Sequence, residues 1–174
     1  RADEIIVGIR DLLKSFKLHP YDEGTERGFL RHVLVRVGKN TGEILVTLVG
    51  GNSMFPKKHD FVKALVKRFP DITTVIFSVN RTPEMLLLGE NNEVLYGEGY
   101  ITDILCGKRF RISPHSFYQI NHAQTEKLYD YAIKAAKLTK KDILLDAYSG
   151  IGTIGIIASD YVKQVQGIEY NASA

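Results

Sequence analysis

"LLDAYSGIGTIG", Leu144 to Gly155, decides the fold. An apolar lead-in ends on one acid, Asp146, and Gly150, Gly152 and Gly155 follow it. The spacing predicts a short buried strand, Ile143 to Leu145, ending at Asp146. A tight glycine loop comes next, then a helix from about Thr153 to Ser159. A second strand, "QVQGI", ends at Glu169. Upstream, Asn121 can cap a helix whose apolar positions include Leu128, Ala132, Ile133 and Ala136. Helix, strand, helix, strand is the opening of a parallel, Rossmann-like sheet. Such a sheet normally has more than two strands, so the remainder is expected beyond Ala174.

The first half of the chain has a different grammar. "RADEIIVGIRDLLKSFKL" puts Ile5, Ile6, Ile9, Leu12, Leu13 and Phe16 at helical spacing. "FLRHVLVRVGKNTGEILVTLVGG" reads as a hairpin, with "GKNTGE" as its turn. "HDFVKALVKRF" predicts an amphipathic helix stopped by Pro70, and "DITTVIFSVN" a β-branched strand. Two or three short strands are expected between Met85 and Ile112, with "GENNEV" as a turn. Hairpins and helices side by side predict an α+β domain with an antiparallel sheet over residues 1–110. The first part of a Rossmann-like domain then covers residues 111–174, with a soft boundary near Lys108 to Ser113. The fold class is α/β.

Composition restricts the function classes. The chain has 174 residues, 44% apolar and 25% charged, which excludes a disordered chain. A net charge of +3 permits a nucleic-acid partner without demanding one. Basic residues cluster at Lys57-Lys58, at Lys108, Arg109 and Arg111, and at Lys134, Lys137, Lys140 and Lys141. One cysteine, Cys106, excludes an internal disulfide framework or a multi-cysteine metal site, and fits a reducing, cytoplasmic setting. The five histidines show no metal-ligand spacing. No run is apolar enough to span a membrane, and "RADE" does not read as a signal peptide.

Three readings of the glycine loop compete: a dinucleotide, S-adenosylmethionine, or a structural turn. Gly-x-Gly-x-x-Gly formally matches the dinucleotide fingerprint. Glu169, ending the second strand, can accept hydrogen bonds from two ribose hydroxyls. Asp146 discriminates, because a pyrophosphate is repelled by a carboxylate four residues before the loop. A sulfonium and an ammonium are not. Asp146 therefore favours adenosylmethionine, although it could instead only brace the loop through backbone N–H groups.

"RISPHSFYQIN", Arg111 to Asn121, together with "LLDAYSGIGTIG" and "GIE", closely resembles the RNA uridine-C5 methyltransferase family. "GFLRHVLVRVGKNTGEILVTLV" is similar to that family's central domain, and the likeness spans Gly28 to Glu169. The resemblance implies that Gln119, Tyr148, Gly150, Gly152 and Glu169 contact adenosylmethionine, beside Asp146. Ser149 stands where the family often has cysteine. Phe117, Tyr118 and Ile120 are expected to be packing residues, and His115 and His122 have no independent support as bases.

C5 of uracil is a poor nucleophile, so its methylation needs a thiolate that adds at C6, and later a base that removes the C5 proton. The resemblance places both beyond Ala174, and no catalytic residue is assigned within the chain. Cys106 is expected to be a structural cysteine in an apolar strand. An iron–sulfur cluster, which many family members carry, could belong only to a longer parent protein. The implied substrate is RNA, with 23S ribosomal RNA preferred to transfer RNA. An RNA-binding module without activity is the alternative. Arg31, His32 and Arg36 of the hairpin, with Lys108, Arg109 and Arg111, are the candidate phosphate contacts.

Overall fold

The computed structural model describes residues 1–81 and 87–171, which form two compact units. The first comprises residues 1–38 and 42–101. The second comprises residues 39–41 together with the chain from Thr102 onward. Compactness thus groups the chain after Ile101 with the later elements, ahead of the 110/111 sequence boundary. Met85 lies outside the described residues.

Unit 1 begins with α1, Ala2–Ser15, which buries Ile5, Gly8, Ile9 and Leu13 at i, i+3, i+4 and i+8. Ile6 falls off that stripe and is exposed. Strands β1 (Leu30–Val37), β2 (Ile44–Gly50), β3 (Ile72–Val79) and β4 (Asn91–Tyr96) form one sheet in the order β1-β2-β3-β4. Helix α2, Lys58–Arg68, lies between β2 and β3 in the chain. Its Phe61, Val62 and Leu65 join α1 in a core that includes Phe29, Phe55 and Phe77.

The sheet is mixed, not antiparallel. β1–β2 and β3–β4 are antiparallel, but β2 and β3 are parallel. The cause is α2: it carries the chain from the end where β2 stops back to the end where β2 starts, so β3 runs in the same direction as β2. Asn91 to Val94, expected as part of a turn, instead open β4.

Unit 2 takes up the chain from the second residue of β5 (Ile101–Leu105), which pairs with β6 (Lys108–Ile112) as a hairpin. Cys106 and Gly107 form its two-residue turn, at φ 48° and 75°. Two successive positive φ values are the signature of a type I′ turn, whose twist suits a hairpin. Helix α3, His122–Ala136, follows, capped as expected by the Asn121 side chain, which accepts the Gln124 N–H at 3.2 Å. Strand β7 (Ile143–Ala147), helix α4 (Thr153–Ala158) and strand β8 (Gln164–Ile168) complete it, with β7 and β8 parallel. This is the βαβ unit that the glycine loop predicts.

Two packing expectations change here. Helix α3 buries Thr125 and Tyr129 and half-buries Ile133, so of the predicted apolar positions Ile133 turns inward while Leu128, Ala132 and Ala136 are exposed. Tyr129 sets this orientation, because it packs with Leu105, Phe110 and Ile157 while its hydroxyl meets Thr153 Oγ1 at 3.0 Å. Strand β7 is also not buried throughout. Leu144 and Asp146 are sheltered on the α4 side, while Ile143 and Leu145 on the other face are exposed among the described residues. No helix among the described residues is long and apolar enough to cross a membrane.

Candidate functional site

The β7–α4 loop concentrates unusual backbone. Tyr148, Gly150 and Gly152 all have positive φ, at 60°, 54° and 76°. For tyrosine this is a costly region, and such strain persists where the surroundings over-determine it. The surroundings are two carboxylates. Asp146 Oδ2 accepts the Gly155 N–H at 2.9 Å. Glu169 Oε2 accepts the Gly150 N–H at 2.7 Å, and its Oε1 accepts the Asn171 N–H at 2.8 Å. Those bonds, Asn171's first and Gly150's second, pull the Glu169 carboxyl below its usual range.

The third glycine has a steric reason. A Cβ on Gly155 would lie 2.7 Å from Asp146 Oδ2 and 2.9 Å from Val165 Cγ1. Only glycine lets α4 approach both strands this closely.

Beside the loop is a cavity of about 380 Å³, within unit 2. Gln119, Asp146, Tyr148, Gly150 and Glu169 line it, so five of the six residues predicted to bind a cofactor meet there. The sixth, Gly152, caps α4 and does not line the cavity. The wall also includes His115, Phe117 and Asn171. Phe117 is 75% exposed and Ile120 is 98% exposed, so neither is a packing residue. Both sit in an irregular segment, where no periodicity tells inside from outside. Tyr118 alone of the three packs, against Phe110 and His122.

Cys106 sits at the β5–β6 turn, partly buried against Leu105, Phe110, Tyr129 and Ile157. Burial first, then the negative charges of Glu126 and Asp130, push its thiol up, away from the reactive thiolate. It does not line the cavity.

The hairpin arginines are not free phosphate contacts. Arg31 has a side chain only 6% exposed, paired with Glu23 at 2.9 Å. Its guanidinium also donates to the Asn80 carbonyl and lies over the Tyr21 ring. Arg36 is partly buried. In the second cluster Lys108 pairs with Asp160 at 2.7 Å and Arg109 donates to Thr102 Oγ1 at 3.3 Å. These partners are distant in sequence or polar residues of ordinary appearance, and nothing in the sequence announced them.

A parallel βαβ unit with an acidic, glycine-lined cavity at the carboxyl end of its strands defines a Rossmann-like nucleotide-type site. No family model matches the chain. By sequence it is similar to proteins named uncharacterized RNA methyltransferases. One, from Oceanobacillus iheyensis, is 40% identical over 167 residues, 96% of this chain and 36% of that protein. Another, from Staphylococcus aureus MSSA476, is 37% identical over 171 residues, 98% of this chain and 38% of that protein. The chain thus spans little more than a third of these curated relatives. Among solved structures it is similar to the Pyrococcus abyssi tRNA (uracil-54, C5)-methyltransferase in complex with S-adenosyl-L-homocysteine. That likeness has a TM-score of 0.77 and 26% identity, over 98% of this chain and 41% of that one. The chain therefore has an α/β fold with a Rossmann-like part, and the relatives it matches are named as RNA methyltransferases.

Proposed function

We propose that this chain is the central domain and cofactor-binding start of an S-adenosylmethionine-dependent RNA methyltransferase that acts on C5 of a uridine. The observation that carries the proposal is the cavity's chemistry. Among the described residues its wall has two carboxylates, Asp146 and Glu169, and no lysine or arginine. A pyrophosphate finds no counter-charge there, whereas a ligand bearing a sulfonium and an ammonium does.

The residues fit that ligand. Each Glu169 oxygen accepts one backbone N–H, and a carboxylate oxygen has a second lone pair for a ribose hydroxyl. Gln119 offers both a donor and an acceptor to a zwitterionic methionine end. Gly150 and Tyr148 bring backbone and ring to the cavity wall. Asp146 both braces the loop and adds negative charge beside it. When bound, adenosylmethionine supplies an electrophilic methyl group. The nucleophilic thiol and the base belong, in this proposal, to later parts of a longer protein, since Cys106 is outside the cavity.

RNA as substrate, and ribosomal RNA in particular, follows from the resemblance of "RISPHSFYQIN" and the loop, in a cytoplasmic setting. The relatives' names agree on RNA, and the structural neighbour acts on transfer RNA. The division at 110/111 is part of the same proposal.

The test is calorimetry with S-adenosylhomocysteine on wild type and Glu169→Ala. Losing hydrogen bonds to a charged acceptor costs about 1.5–3 kcal/mol, roughly a 10- to 150-fold loss of affinity. Unchanged affinity removes Glu169 from the site. Nucleoside analysis after reaction of the longer protein with unmodified ribosomal and transfer RNA then decides the substrate. 5-Methyluridine in ribosomal RNA is expected. Modification of transfer RNA alone overturns the ribosomal assignment, and no modification of either favours an RNA-binding module.

A further inference from the structure

In β5, Ile101, Asp103 and Leu105 are the buried residues, of which Asp103 and Leu105 belong to unit 2. Asp103 is fully buried between two apolar neighbours. A buried carboxylate survives only with its lone pairs engaged, and four groups engage this one. The Asn40 N–H donates to Oδ1 at 2.9 Å, and the Lys39 N–H donates to Oδ2 at 3.0 Å. The Tyr118 hydroxyl donates to Oδ2 at 3.4 Å, and His122 Nε2 lies 2.8 Å from the same oxygen. Tyr118 Oη and His122 Nε2 are themselves 3.2 Å apart, so the three side chains form a closed triangle.

Tyr118 and His122 flank Gln119. Tyr118 turns in to the carboxylate, Gln119 lines the cavity, and Ile120 faces solvent. Asn121 caps α3, and His122 returns to the same carboxylate. The five-residue segment is thus pinned at both ends on one buried acid, and its middle is presented to the cavity. An irregular segment has no ladder of backbone bonds to set its register, so side-chain anchors must do it.

We propose that Asp103 is a positioning residue for the cavity: through Tyr118 and His122 it fixes the direction in which Gln119 meets the ligand. The inference rests on the reading of the cavity as an adenosylmethionine site. Asp103 lies outside the cavity wall and acts only through the segment it anchors.

A double-mutant cycle tests it, with S-adenosylhomocysteine affinity measured by calorimetry. Asp103→Asn keeps the shape but turns a donor toward groups that are already donors. It should weaken binding about tenfold in the wild-type background, within the range of direct couplings. Tyr118→Phe removes one hydroxyl at the edge of the triangle and should cost about threefold, a milder variant if Asp103→Asn does not fold. Both losses should vanish when Gln119 is already alanine. If both variants weaken binding equally with and without Gln119, the role is general stability and the inference falls alone. If Gln119→Ala itself leaves affinity unchanged, the cavity reading falls and takes this inference with it.

Discussion

β2 and β7 are both short apolar strands with a parallel neighbour, yet they do different work. All seven residues of β2 are buried. Those of β7 alternate, with only the α4 side sheltered among the described residues. β2 has strands on both sides, β1 and β3, and its Ile44, Val46 and Leu48 meet the phenylalanine-rich core under α1 and α2. Among the described residues β7 has one strand partner, β8, and a six-residue helix. In unit 1 the shape is held by apolar packing. In unit 2 polar anchors hold the shape: Asp146 on Gly155 and Glu169 on Gly150 in the βαβ part, and Asp103 on Tyr118 and His122 ahead of it. The cavity of unit 2 is lined mostly by loop residues rather than by a close-packed core.

The largest test of this contrast is truncation on each side. Phe61 is fully buried and meets Phe16 and Phe55 edge-on. Phe61→Ala should destabilise unit 1 by about 3–5 kcal/mol, the range for a buried aromatic that leaves a cavity. Leu145→Ala on the open face of β7 should change stability by no more than about 0.5 kcal/mol. Urea unfolding followed by circular dichroism measures both. A Leu145→Ala cost approaching that of Phe61→Ala would show that the open face is packed in solution, and the contrast would be gone.

The next test separates glycines that look equivalent in "GIGTIG". A Cβ at Gly155 collides with Asp146 and Val165, so Gly155→Ala should cost about 1–3 kcal/mol through overpacking. A Cβ at Gly150 meets nothing within 4 Å, so only its left-handed backbone resists substitution. Gly150→Ala should cost about 1–2 kcal/mol. The two differ in kind: Gly155→Ala should also speed hydrogen exchange at residue 155, because its N–H···Asp146 bond must lengthen. Equal exchange in both variants would mean that α4 yields without disturbing the anchor.

How far the sequence reaches follows the same division. Local features were legible: the α1 stripe, the Asn121 cap, and a strand, glycine loop, helix and strand in order. Asp146, Tyr148, Gly150 and Glu169 line one cavity for that reason, because a βαβ unit gathers the ends of its strands and the loop between them. Gln119, which also lines it, lies before α3 and was reached only through the family resemblance. The crossover between β2 and β3 was also written in the chain, as strand, helix, strand, and an antiparallel sheet was the wrong inference from it. What stayed hidden depends on partners far apart. Asp103 looks like an ordinary acid in "ITDIL" until Lys39, Asn40, Tyr118 and His122 surround it. Arg31 looks like a phosphate contact until Glu23, Asn80 and Tyr21 occupy it.

The smallest expected effect is an acid titration that touches each unit at one loop. In unit 1, Asp22 accepts the Thr25 hydroxyl and backbone N–H, and these bonds hold its carboxyl below the usual 3.8. In unit 2, the Asn171 and Gly150 N–H groups hold Glu169 below its usual 4.5. A carboxyl lowered by folding adds stability that is fully present above its ordinary pKa and lost as pH falls through the lowered one. Neither loop should therefore change between pH 7 and 5. Below 4.5 the bonds to Glu169 should weaken, and the Gly150 and Asn171 amide resonances should shift together with one midpoint under 4.5. The Thr25 amide should shift with its own midpoint, under 3.8. Both carboxylates are fully exposed, so the global unfolding midpoint should barely register either step. NMR titration of the three amides reads the outcome directly. A Gly150 midpoint at or above 4.5 would mean that Glu169 does not hold the loop in solution, and the polar-anchor account of unit 2 would lose its most exposed member.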